Sequence, residues 1–271
     1  MTLVRQPAVA GRFYAADPVA LGDEVRQLIS SAQAVSKSAA IACLVPHAGY
    51  VYSGGVAGAV YARLAIPNRV LILGPRHFPR GADLAINRSG VWQTPLGAAE
   101  IDAELGDLLA KAFPRLVDDV RAHQTEHSLE VQIPFLQMLA PGFRFVPIAI
   151  GTSDLATLEG LGNAIAEALV QIAEPVLMVA SSDMNHYEED GVTRAKDRRA
   201  IDRLLALDAL GLYQTVRGEG ITMCGYAAAT AMLVAACQRG AKSAELVKYA
   251  TSGDVFGDRE EVVGYAGMVF G

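Results

Sequence analysis

The feature that most constrains the fold is a set of short, continuously apolar runs separated by segments of helical character. Ala40 to Val45, Arg69 to Leu73, Phe143 to Ile150, Pro175 to Ala180, Leu246 to Ala250 and Val262 to Phe270 have strand length and lack polar alternation. A strand that is apolar on both sides needs cover on both sides, which is the condition of a largely parallel or mixed sheet between helical layers. The intervening segments that read as helices are Pro18–Ser31, Gly54–Leu64, Asp102–Lys111, Leu129–Leu139, Leu155–Ile172, Gly191–Leu205, Asp208–Arg217 and Tyr226–Gln238. The expected fold class is therefore α/β, built as one domain over residues 1–271, since no Pro-, Ser- or charge-rich linker, repeat or low-complexity stretch divides the chain. Gly81 to Gly97 reads as short strands and turns, an antiparallel excursion beside the main sheet.

Composition narrows the functional classes. A hydrophobic content of 52% supplies material for a core on both faces of a sheet. A formal net charge of −6 leaves no broad basic face, so nucleic acid is not an expected partner. The first residues hold Pro, Gly and Asp where an export signal needs an unbroken apolar run. The longest apolar stretch, Ala227 to Cys237, is far short of the ~20 residues of a membrane span and reads as a buried helix. Cys43, Cys224 and Cys237 are an odd set at unrelated spacings, which suits thiols in a reducing cytoplasm.

Three of the apolar runs end in polar clusters: IACLV leads into PHAGYVYSGG, RVLIL into GPRHF, and PVLMVA into SSDMNHY. In open α/β sheets the carboxyl ends of the strands border the ligand crevice, so side chains just beyond them meet despite wide separation in sequence. His47, His77, Asp183 and His186 stand at such positions. His127 in EHSLEVQIPF and Cys224 in TMCGYAAATAM each precede a helical segment, and a thiol at a helix entrance is expected to have a lowered pKa. Cys43 within a strand and Cys237 within a helix read as small hydrophobes, His123 as a solvated surface residue, and Trp92 as a core or edge-strand aromatic, with cover of the pocket mouth as the alternative. The glycines of GYVYSGG match neither of the common nucleotide-binding loops.

In order along the chain, VPHAGYVYSGG, LILGPRH, TPLG, EHSLEVQIPF, SSDMNHY and CGY resemble the Memo-like family, in particular its prokaryotic members called AmmeMemoRadiSam system protein B, whose animal relatives are mediators of cell motility. The resemblance implies a fold similar to the class III extradiol dioxygenases, in which strand-end histidines gather around a non-haem iron. It implies His47, His77 and Cys224 as metal ligands, Asp183 and His186 as pocket neighbours, and His127 as a weaker match. Those dioxygenases place a carboxylate where Cys224 stands here, and a softer thiolate favours iron or copper, with zinc as a further candidate, over ring cleavage. The reading that follows is a metal-dependent redox enzyme with His186, oriented by Asp183, as acid/base and His127 beside it. The rival readings are a module that binds a peptide or small molecule and a metal-buffering protein. The resemblance also implies AMMECR-type and radical SAM partner proteins, and a homodimer is the default assembly.

Overall fold

The structure, a computed structural model, describes residues 3–31 and 36–271. Twelve strands form one mixed sheet among the described residues: β1 (Val4–Arg5), β2 (Ala42–Val45), β3 (Arg69–Pro75), β4 (Leu84–Ile86), β5 (Val91–Thr94), β6 (Gly97–Ile101), β7 (Val117–Asp118), β8 (Arg144–Ile150), β9 (Val176–Ser181), β10 (His186–Glu188), β11 (Ala244–Thr251) and β12 (Val262–Phe270). The helices are α1 (Pro18–Ser30), α2 (Gly55–Arg63), α3 (Ala103–Ala112), α4 (Ile133–Leu139), α5 (Leu155–Val170), α6 (Asp190–Leu205), α7 (Ala209–Gly218), α8 (Tyr226–Gln238) and α9 (Gly253–Phe256). Each apolar run of the sequence is a strand, and each predicted helical interval holds a helix.

The central order β6-β8-β3-β9-β2 is parallel throughout, whereas β12 lies antiparallel to β2, β10 and β11, and β5 antiparallel to β6. The expectation of a largely parallel or mixed sheet is met, with antiparallel strands on both flanks of a parallel centre. The segment around Gly81 to Gly97 forms β4, antiparallel to β8, and β5, as an excursion of this kind should.

Continuous apolarity in the central strands has a direct structural cause: alternate residues enter two different cores. Ala42, Leu44, Leu71, Leu73, Met178 and Ala180 pack toward α3, α5, α6, α7 and α8. Cys43, Val45, Val70, Ile72, Leu177 and Val179 pack toward α1, α2 and α4 on the other face. Helix starts follow the sequence locally. Asp17, Asp102, Asp154 and Asp208 each accept backbone N–H groups at the first turn of α1, α3, α5 and α7. The apolar stretch from Ala227 is the interior of α8, and Trp92 on β5 is fully buried, both as the sequence indicates. No helix among the described residues is long and apolar enough to cross a membrane.

Two assignments change. His123 is 1% exposed, packed 5.6 Å from the Trp92 ring. It is held inside because its carbonyl accepts from the Arg5 guanidinium, itself stacked over Trp92. Cys237 is exposed at the end of α8, not a core residue.

Candidate metal centre

Strands β3, β9 and β2 are parallel neighbours, with Leu73 level with Ala180 and Val45 level with Ser181. Their carboxyl ends therefore emerge side by side and deliver His77, the Ser182–Asp183 turn and His47 to one rim. A π-helical turn, Tyr50–Gly54, follows His47 and leads into α2; such wide turns recur at functional sites. The result is a pocket of about 970 Å³ lined by His47, His77, His127, Asp183, His186 and Cys224, so every site residue expected from the sequence lines the same cavity. The cavity mouth carries exposed Val51, Tyr52, Tyr187 and Phe256.

The proton positions of three imidazoles follow from their partners. Glu126, wholly buried, accepts from the His77 backbone N–H at 2.6 Å and faces His77 Nδ1 at 2.9 Å, so in the neutral ring the proton sits on Nδ1 and the Nε2 lone pair is free. Ser181 Oγ donates to the Ser128 carbonyl and accepts from Gln132 Nε2, which leaves it to accept from His47 Nδ1 at 3.0 Å. The Nε2 of His47 then meets Cys224 Sγ at 3.2 Å. His186 Nδ1 lies 2.9 Å from the Thr222 carbonyl, which can only accept, so its Nε2 is also the bare nitrogen. These three imidazoles thus present lone pairs, not N–H groups, to the pocket.

His47, His77 and Cys224 offer ligand atoms that all lie within 4.8 Å of one another. This set suits an ion with bonds of about 2.0–2.3 Å to imidazole nitrogen and thiolate. His77, Glu126 and His127 form a second grouping at the same spacing. Glu126 already accepts from His77 and from the Ser128 N–H at 2.9 Å, an arrangement of the carboxylate–histidine type that orients a ligand from behind. His127 stacks on His77 at 4.6 Å between ring centres.

The electrostatics set uncharged His47 and His127 imidazoles beside an ionised Glu126, a balance that favours entry of a cation. Burial, reinforced by the neighbouring His77 and His127, holds the His47 imidazole well below its ordinary range. Burial also takes His127 down to about 4 against the pull of Glu126. Burial opposes ionisation of Glu126, yet the hydrogen bond and charge of His77 bring it down to about 2. Burial raises Asp183 to about 6, against the N–H groups of His47 and Ala48.

Two sequence expectations are corrected. Cys224 does precede a helix, α8, but burial and the nearby Asp183 push its thiol above the ordinary range instead of lowering it. The dipole of α8 is outweighed because the sulfur is packed against protein on most sides; a bound cation would reverse the sign. Asp183 does not orient His186. Its Oδ1 accepts from the backbone N–H of His47 at 2.7 Å and of Ala48 at 3.3 Å, so it shapes the loop that carries His47, while Thr222 fixes His186.

Glu126, Ser181 and Thr222 were not singled out by the sequence. Glu126 carried one available signal, a carboxylate immediately before His127 in EHSLE, and Arg5 holds that loop through the Glu126 carbonyl and the Glu130 carboxylate, both at 2.7 Å. The glycine of MCGYA has a steric role: a Cβ at Gly225 would collide with the Ser181 carbonyl and the Ser182 side chain, so only glycine lets the start of α8 reach the end of β9.

The family model for Memo-like proteins matches residues 5–269. The chain belongs to the Memo-like family. Among relatives of this Memo-like protein, a MEMO1 family protein of Methanococcoides burtonii is 43% identical, covering 98% of this chain and 99% of its own. MEMO1 family proteins of Pyrobaculum arsenaticum and Methanopyrus kandleri are each 41% identical, covering 98% of this chain and 99% and 98% of their own lengths.

Proposed function

We propose that the pocket is a His/His/Cys metal centre that holds iron or copper and serves redox chemistry on a small-molecule ligand. The observation that carries the reading is the shared orientation of His47 and His77, each with Nδ1 tied to protein and Nε2 facing the Cys224 sulfur or the cavity. Imidazole with thiolate suits iron, copper or zinc, and when bound such an ion supplies Lewis acidity and, for iron or copper, electron transfer.

The remaining groups have roles that the chain itself defines. Glu126 fixes the face of His77 and Ser181 that of His47. His186 carries a free Nε2 at the pocket wall and takes or returns a proton there, its pKa lowered by burial against the Thr222 and Met184 carbonyls. Asp183 keeps the His47 loop closed on the cavity floor.

The test is metal content by plasma mass spectrometry on untagged protein, with and without reconstitution, for the wild type, His47→Ala and Cys224→Ala. Near-stoichiometric iron or copper in the wild type and its loss in both variants is the expected result. Zinc alone would turn the reading toward hydrolytic or structural chemistry, and no uptake of any metal would overturn it. The aromatic mouth formed by Tyr52, Tyr187 and Phe256 supports a second reading, a non-catalytic module that captures a ligand in the same cavity.

A further inference from the structure

Asn185 lies between Asp183 and His186, is wholly buried, and its side chain points to none of the ligand residues. Its amide oxygen accepts from both the Thr222 backbone N–H at 3.0 Å and the Thr222 hydroxyl at 3.1 Å. Its amide nitrogen donates to the Glu188 carboxylate at 2.6 Å and toward the Thr193 hydroxyl at 3.3 Å, which fixes the orientation of the amide. Neither a carboxylate nor an apolar side chain of this size supplies an acceptor on one side and donors on the other.

The amide is itself anchored. The Asn185 backbone N–H donates to Asp197 Oδ1 at 2.8 Å, and Tyr249 donates to Asp197 Oδ2 at 2.7 Å. Asp197 on α6 is fully buried beneath the loop, so the anchor belongs to the helical layer and not to the pocket rim. On the other side, Thr222 accepts from the His186 backbone N–H through its hydroxyl at 2.7 Å and from His186 Nδ1 through its carbonyl at 2.9 Å. The chain of contacts from Asp197 through Asn185 and Thr222 ends on one pocket histidine, at its backbone nitrogen and its Nδ1.

We propose that Asn185 is a positioning residue: by holding Thr222 it fixes His186 as the Nδ1–H tautomer, with the Nε2 lone pair presented to the pocket. The same clamp sets the register of the 222–224 segment, and hence the place of Cys224, relative to the loop that carries Asp183 and His186. This inference rests on the reading of His186 as the proton carrier of the pocket. Its measurement needs neither metal nor turnover, so a failure of the metal reading leaves it standing.

The experiment is long-range ¹H–¹⁵N correlation NMR of the five histidines in metal-free protein, with His186 assigned by the signal lost in His186→Gln. An imidazole without constraint in water favours the Nε2–H form, so the expected wild-type result, a single Nδ1–H tautomer, runs against intrinsic preference. Asn185→Ala and Thr222→Val should each move the tautomer ratio toward Nε2–H by about fivefold, the worth of one hydrogen bond. Thr222→Ser, which keeps the hydroxyl, should restore it. Thr222 has an exposed side chain, so Thr222→Val decides the matter if Asn185→Ala does not fold. A residue that only satisfied buried groups would lower stability without moving the tautomer. A wild-type His186 in the Nε2–H form, or an unchanged Nδ1–H form in the folded variants, would overturn the proposal.

Discussion

His47 and His123 are equally buried, each 1% exposed, and they could hardly differ more in what surrounds their rings. His47 sits beyond the carboxyl end of a central parallel strand, with Ser181 on one nitrogen and Cys224 on the other. His123 sits near the sheet edge against Trp92, and neither ring nitrogen has a hydrogen-bond partner among the described residues. Burial alone lowers the pKa of both and separates nothing. What separates a candidate ligand from a packed imidazole is the direction of its partners: one nitrogen tied to the scaffold, the other aimed at a convergent donor set.

Acid separates the two histidines most strongly. Burial, with Arg5 nearby, lowers His123 to about 3 in the folded protein, against about 6.5 when unfolded. A base with a depressed folded pKa contributes stability that is complete above pH ~6.5 and is lost as pH falls toward ~3, because the unfolded chain binds the proton first. Between pH 6.5 and 4.5 that loss is on the order of 3 kcal/mol. His123→Leu removes only this share, so urea unfolding at pH 7 and pH 4.5 should show a drop smaller by that amount than in the wild type. An equal drop in both proteins would mean that His123 is already protonated in the fold.

A second contrast sets two buried glutamates against each other. Glu126 backs His77, whereas Glu130 holds Arg5, Tyr14 and the backbone of Ala8. Glu126→Gln should weaken metal binding by about 10–100-fold, the usual effect of removing a carboxylate behind a ligating histidine. The fold should persist, since Arg5 reaches Glu126 through its carbonyl and not its carboxylate. Glu130→Gln should lower stability and leave metal affinity unchanged. Competition titration against a chelator of known affinity measures both, and equal effects on metal would dissolve the distinction.

The parallel centre of the fold and the meeting of His47, His77, Asp183 and His186 were legible because both depend on local pattern, apolar runs of strand length each followed by a polar cluster, whereas His127 and Cys224 precede helices and joined the set through the family resemblance. His47, His77 and Asp183 could be placed together from the strand-end rule alone. The partners that orient them were not legible. Ser181 is the last residue of an apolar strand, and Thr222 and Asn185 carry ordinary loop chemistry until two segments are folded against each other. The raised pKa of Cys224 is hidden from the sequence for a related reason. A helix entrance is visible in sequence, but the burial that outweighs its dipole is a property of the assembled pocket. His123 reads as solvated because its run is polar, while the residue that holds it inside, Arg5, lies near the start of the chain, far away in sequence.

The smallest effect concerns the mouth of the pocket. Tyr187, directly after His186, has φ 59°, a left-handed conformation that a bulky side chain rarely adopts, and it is 72% exposed. That geometry costs about 1 kcal/mol, and so exposed a ring recovers little of it by packing. Asparagine tolerates the left-handed region, so Tyr187→Asn should raise stability by about 0.5–1 kcal/mol, read as a small increase in thermal midpoint. Metal affinity should not change, because neither Tyr187 nor its neighbours in β10 belong to the His47, His77 and Cys224 set. A gain in stability would show that the tyrosine is retained at the mouth against the preference of its own backbone, as expected of a side chain that meets a ligand. A loss would assign the ring a structural role instead, through its contact with His186 at 5.6 Å between ring centres.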